Sequence, residues 1–200
     1  MPGKVLGTAT RCDVAERAGT MFGMTHRDEA DQPNDPDLAD DFLAAFILDG
    51  RKHFVRWHSA AEGPDSVVAT TTGTWAFADP HSCVSSWPSW LNHDESESEV
   101  IDLDEVTVWL RRQRLSVPCE DLLNAWNWAG DVASGLGLRW GDCGALADRC
   151  YDKLHTASLP WLVVGGTYTP TWNSHEIDFL RRIGTQAITL VRQGLAAQGR

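Results

Sequence analysis

The sequence predicts an α+β domain, with an antiparallel sheet from the N-terminal half and helices from the C-terminal half packed on one of its faces. Two observations carry that expectation. Between Phe42 and Ala78 the chain shows period-two alternation and many β-branched residues, whereas from Val117 onward apolar residues recur with the helical period. The two kinds of segment are segregated along the chain rather than alternating, which argues against parallel βαβ units.

Taken in order, residues 1–41 are set apart as a partly flexible N-terminal segment, and residues 42–200 as a single domain. Within the first, Asp13 to Ala18 is expected to form a short helix. His26 to Asp41, HRDEADQPNDPDLADD, carries seven acids and two prolines with almost no apolar residue, the composition of a solvated linker.

Phe42 to Leu48, FLAAFIL, is a continuous apolar run that reads as a strand, although a run of this length also fits a helix. Asp49-Gly50 follows, a strong two-residue hairpin signal. RKHFVRWHS then alternates, with His53, Val55 and Trp57 on one face and Phe54, Arg56 and His58 on the other. Ser66 to Ala78 reads as one longer strand, or as two broken at Gly73. Asp79 to Glu99, with Pro80, Pro88 and many serines, reads as a loop of the kind that forms a binding lip. Val106, Val108 and Leu110 share a face, which predicts a strand over Val106–Arg112.

The second half predicts helices. Pro118 suits a first helical position, and Glu120 and Asp121 suit the positive end of a helix dipole. Leu122, Trp126, Ala129, Ala133 and Leu136 then follow along one face, and Gly135 and Gly137 are expected to stop the helix. A second helix is expected from Gly141-Asp142, with Asp142 as N-cap and Ala147, Cys150, Tyr151 and Leu154 inward. Pro160 ends it, and Trp161 to Gly166 reads as a short strand and turn. Ser174 is expected to cap a last helix bearing Ile177, Leu180, Arg181, Gly184, Ile188 and Val191.

Charge narrows the function classes. The chain has 28 Asp and Glu against 17 Lys and Arg, a formal charge of −11 over 200 residues. Phosphates and anionic membranes repel such a chain, so neither nucleic acid nor a membrane surface is expected as a partner. A basic protein is the partner that this charge would steer in. No apolar run of about 18 residues is long enough to span a bilayer. No secretory signal precedes the domain, and five cysteines at irregular spacing match no disulfide framework. A cytoplasmic protein with free thiols is therefore expected.

Ten tryptophans against two tyrosines imply a thick core, an aromatic-lined pocket or an interface. The stretch Asp94 to Glu105 holds seven carboxylates in twelve residues. Its residues Asp94, Glu95, Glu97, Glu99, Asp102, Asp104 and Glu105, with Trp87, Trp90 and Trp109 nearby, would form an acidic rim around aromatic anchors. That pattern suits an inhibitor or immunity-type protein docking on a basic partner. A tryptophan-lined small-molecule binder is a further reading.

An enzyme reading starts from Cys143, placed by the sequence in the first turn of a helix, where a thiolate is stabilised. Asp142-Cys143-Gly144 resembles the nucleophile motif of some papain-like peptidases, including bacteriocin-leader-cleaving and small-modifier-removing kinds. The resemblance implies a cysteine-dependent hydrolase with Cys143 as nucleophile, and His175 with Asp178 would be its partners. The structural alternative, a small residue in a helix start, is preferred, because Asp142 beside the thiol opposes its ionisation.

Metal and cofactor sites have no motif. His53 and His58 fall on opposite strand faces. His81, Cys83, His93, Asp94 and Glu95 lie close in sequence without a zinc spacing. The Gly165-Gly166 and Gly135/Gly137 pairs read as turn glycines. No metal and no cofactor are expected.

Overall fold

The hairpin around Asp49-Gly50 organises the sheet. In the computed structural model, which describes residues 40–60, 63–87, 100–112, 116–141, 143–158 and 168–198, strand β1 (Asp40–Leu48) pairs antiparallel with β2 (Arg51–Ser59). Asp49 (φ 52°) and Gly50 (φ 70°) both have positive φ, the turn geometry that matches strand twist. β1 thus begins at Asp40, inside the stretch read as linker. Ala44, Phe46, Leu48, Val55 and Trp57 point into the main core, as the alternation predicts. Phe46 is its hub, stacked on His53 and Trp75 with ring centroids 5.0 and 5.7 Å away and tilted against Trp128 at 5.6 Å.

The sheet has four strands in the order β3-β2-β1-β4, with β3 (Ser66–Val67) antiparallel to β2. β4 (Val100–Asp102) departs from the expected antiparallel arrangement: it lies parallel to β1, from Ala45↔Val100 to Ile47↔Asp102. β3 and β4 therefore run the same way at opposite edges, which requires the chain to cross back between them. Helix α1 (Pro80–Ser85) lies in that crossover, where a loop was expected. Asp79 caps it by accepting the Ser82 N–H at 2.8 Å. Arg56, which alternates to the face opposite Val55 and Trp57, lies over the Trp87 ring at 5.8 Å. α1 and Trp87 thus shield the second face of the hairpin, where Ala45 is fully buried.

Only Ser66 and Val67 of the expected Ser66–Ala78 strand pair regularly. Thr70 and Thr74 close a turn with Gly73 at φ 79°, and Phe77 returns to bridge Phe54. Gln198 explains why this stretch does not extend the sheet: its side chain accepts from the Trp75 and Ala76 N–H groups and donates to the Ala76 carbonyl.

The strand expected over Val106–Arg112 is instead helix α2 (Leu103–Arg111). Leu103, Val106 and Trp109 are its buried residues, at helical spacing. Asp102 caps it by accepting the Asp104 N–H at 2.9 Å. Val106, Val108 and Leu110 do alternate, but over too few residues to outweigh a capped, amphipathic turn. Arg181 donates to the Leu110 and Arg112 carbonyls at the far end and lies 4.8 Å from the centre of the Trp109 ring.

Helix α3 (Cys119–Leu136) is the central element. Leu122, Leu123, Ala125, Trp126, Trp128, Ala129, Val132 and Ala133 are buried around most of its circumference. Each large side chain there contributes roughly 1.5–3 kcal/mol of transfer free energy. Gly137 (φ 64°) ends it, while Gly135 remains inside the helix. There a Cβ would meet the Val67 carbonyl oxygen at 1.9 Å, so Gly135 permits α3 to lie directly on β3. Pro118 takes the N-cap position rather than the first turn.

Helix α4 (Ala145–Ser158) begins after Gly144 (φ 108°), later than the Gly141-Asp142 start expected, and Asp142 lies outside the described residues. Ala147, Cys150 and Leu154 face inward. Helix α5 (Ser174–Ala197) is capped by Asn173 rather than Ser174, in a reciprocal capping box with Glu176. Buried residues of α2 to α5 join those of β1 and β2 in one core, giving the α+β fold. Among the described residues no helix is long and apolar enough to cross a membrane. The expected Asp13–Ala18 helix and Trp161–Gly166 strand lie outside the described residues.

Candidate functional site

The sequence-adjacent acids of α2 meet those of a second helix. Asp102, Asp104 and Glu105 sit at the start of α2, Glu120 and Asp121 at the start of α3, each favoured by the helix dipole. Partial burial pushes the Asp121 carboxyl up, and the negative charges of Glu105, Glu120 and Asp102 push it further. Glu105 and Glu120 are exposed. Sequence reading treated Glu120 and Asp121 only as dipole partners. Their acidic character was visible, but their contact with the α2 acids depends on tertiary packing.

Not every acid of the run is available. The Asp104 carboxylate accepts the Asp49 and Gly50 N–H groups at 2.8 and 2.7 Å. Arg192 donates to Asp49 from α5 at 3.0 Å, so the hairpin tip, α2 and α5 are tied together. The tryptophans proposed as anchors are turned inward. Trp109 is 2% exposed and Trp87 7%, so neither offers a partner much surface. Trp90, Asp94, Glu95, Glu97 and Glu99 lie outside the described residues. The tryptophans therefore serve chiefly as core: Trp57, Trp75, Trp126 and Trp128 are buried as well.

Cys143 precedes α4 by two residues instead of occupying its first turn, and it is disulfide-bonded rather than a free thiol. In that state its sulfur is not a nucleophile, and a hydrolase built on it would first need reduction. His175 and Asp178 lie exposed near the start of α5. Cys83, Cys119 and Cys150 are free. Burial raises all three thiols, Cys83 and Cys150 to about 11, the opposite of activation.

The histidines and Cys83 are dispersed. His53 is stacked on Phe46, and its pKa is lowered by burial and by Arg51. His58 lies 3.4 Å from Asp41, which also pairs with Arg56 at 2.8 Å. His81 is exposed and Cys83 buried on α1, where a spacing of two separates side chains rather than aligning them. His93 lies outside the described residues. Among the described residues, no group of three or more His, Cys, Asp or Glu is placed to hold a metal ion.

Two further places are chemically distinctive. Along the solvent face of α4 an open groove of about 480 Å³ is lined by Arg149, Asp152, Lys153 and Tyr168, among others. Behind it, Glu176 accepts from Lys153 at 2.9 Å and from the Asn173 N–H at 3.0 Å, with Arg149 3.6 Å away. Deeper in the molecule Asp131 accepts the Trp57 indole N–H at 3.1 Å and faces Asp65. Comparison of the chain with protein-family models, with curated proteins and with solved structures finds no match.

Proposed function

We propose that this is a non-enzymatic binding protein that docks a basic protein partner through the acidic edge at the starts of α2 and α3. The observation that supports it is the convergence of Asp102, Glu105, Glu120 and Asp121 from two helices, close enough for like charge to raise the Asp121 carboxyl. Such crowding opposes folding and is relieved when cations from a partner arrive. Together with a formal charge of −11, it would accelerate encounter with a positively charged surface. An inhibitor or immunity-type protein fits that electrostatic design. Anchoring by Trp87 or Trp109 is not part of this reading, because both rings are buried.

The test is crosslinking in the cells that express the protein, read by quantitative mass spectrometry. It compares the wild type with a variant carrying Glu105→Gln, Glu120→Gln and Asp121→Asn. The reading expects a basic protein crosslinked to the wild type and depleted at least tenfold with the variant. Recovery of the same partners at equal yield with both proteins would sink it.

A further inference from the structure

We propose that Asp131 and Asp65 form a proton-operated latch between α3 and the sheet. The Asp131 carboxyl holds Trp57 of β2 against the helix, and loss of its proton, by setting its charge against that of Asp65, loosens the loop that carries Asp65.

Asp131 is 6% exposed and Asp65 5%. Among the described residues Asp131 has one side-chain hydrogen-bond donor, the Trp57 indole. The buried indole N–H groups of Trp75, Trp109, Trp126 and Trp128 have no hydrogen-bond partner among the described residues. Trp57 is thus distinguished by its carboxyl, and the carboxyl by its meagre support. Among the described residues the one charge acting on it is Asp65, itself an acid. From β2 come Trp57 and, beyond it, His58, whose charge reaches Asp65. β3 contributes no titratable group. No charged side chain from β1, β4, α1, α2, α4 or α5 acts on Asp131 among the described residues.

A buried carboxylate with one indole donor and an anionic neighbour is much less favourable than the neutral acid. Burial, then the Asp65 charge, accordingly raises the Asp131 carboxyl to about 7, against the lowering effect of the Trp57 bond. Burial raises the Asp65 carboxyl too, but it has better support, from the Ala60 N–H at 3.2 Å and the Ser59 side chain. It also follows Gly63 (φ 103°) and Pro64, both exposed, so outward displacement of its side of the pair would meet solvent. When Asp131 ionises, the two carboxylates repel, and displacing the loop that carries Asp65 admits water to both.

The sign follows from linkage. A folded-state pKa raised above its unfolded value gives stability that is fully present below the unfolded pKa. It is lost progressively as pH rises from about 4 towards 7, and levels off above that. Other carboxylates in so acidic a chain also titrate, so the comparison is with Asp131→Asn, whose amide oxygen still accepts the indole N–H. The melting-temperature difference, variant minus wild type, is expected to grow between pH 4.5 and 7 and then stay constant. Asp65→Asn should shift the end of that rise to lower pH. A difference independent of pH would overturn the latch. In the unmodified protein, carbon-13 NMR of the Asp131 carboxyl should show a midpoint near 7, and an ordinary carboxylate midpoint near 4 would also overturn it.

Discussion

Glu176 and Asp131 are both almost inaccessible, 1% and 6% exposed, yet the fold treats them in opposite ways. Glu176 receives the Lys153 ammonium, the Asn173 N–H and the nearby Arg149, and its carboxyl is held below the usual range despite burial. Asp131 receives one indole and faces a second acid, and it is raised to about 7. Burial is common to both; the donors decide the direction. Asp121 is an intermediate case, half-buried among acids and raised by them.

The comparison breaks most violently when a carboxylate is buried with no designed donor. Leu123→Asp on α3, at a side chain 1% exposed, is expected to leave no cooperative unfolding transition, because several kcal/mol of unpaired charge enter the core. A melting curve like the wild type would show that the α3 face is not core. Next in size, Lys153→Ala strips Glu176 of its main partner. It should cost about 3 kcal/mol in urea denaturation at pH 7, as for other buried pairs cut in half. A cost below about 0.5 kcal/mol would mean that Asn173 and Arg149 suffice. Smaller and of opposite sign, Asp131→Asn should stabilise the protein above pH 7 by on the order of 1 kcal/mol, read from the same denaturation. Smallest, Glu105→Gln with Glu120→Gln should change stability by no more than about 0.5 kcal/mol, since both side chains are exposed. A larger loss would place these acids in the fold rather than on a docking edge.

The parts of the fold that local chemistry determines were legible. Asp49-Gly50 and the flanking alternation announce β1 and β2, and the long apolar face of α3 announces the central helix. α2 was missed because a short alternation of Val106, Val108 and Leu110 overlaps a true helical spacing of Leu103, Val106 and Trp109. The parallel pairing of β4, the second-face cover by α1 and the turn held by Gln198 depend on groups distant in sequence. So does the candidate site. The acids of α2 could be read, but their union with Glu120 and Asp121, and the inward turn of Trp87 and Trp109, could not. A tryptophan has the same sequence signature as anchor and as core. Asp65 and Asp131 show nothing locally, since only their tertiary contact makes them a pair. The disulfide state of Cys143 was likewise hidden from an irregular cysteine spacing.

The central claim is that the acidic edge recruits a basic partner by charge. Its most direct test is the association rate of the wild type with the crosslinked partner, measured by stopped flow at about 20 and 200 mM salt. The rate is expected to fall roughly tenfold or more with salt. The variant neutralised at Glu105, Glu120 and Asp121 should be slow at low salt and much less salt-dependent. Equal rates for the two proteins, with the same response to salt, would contradict it.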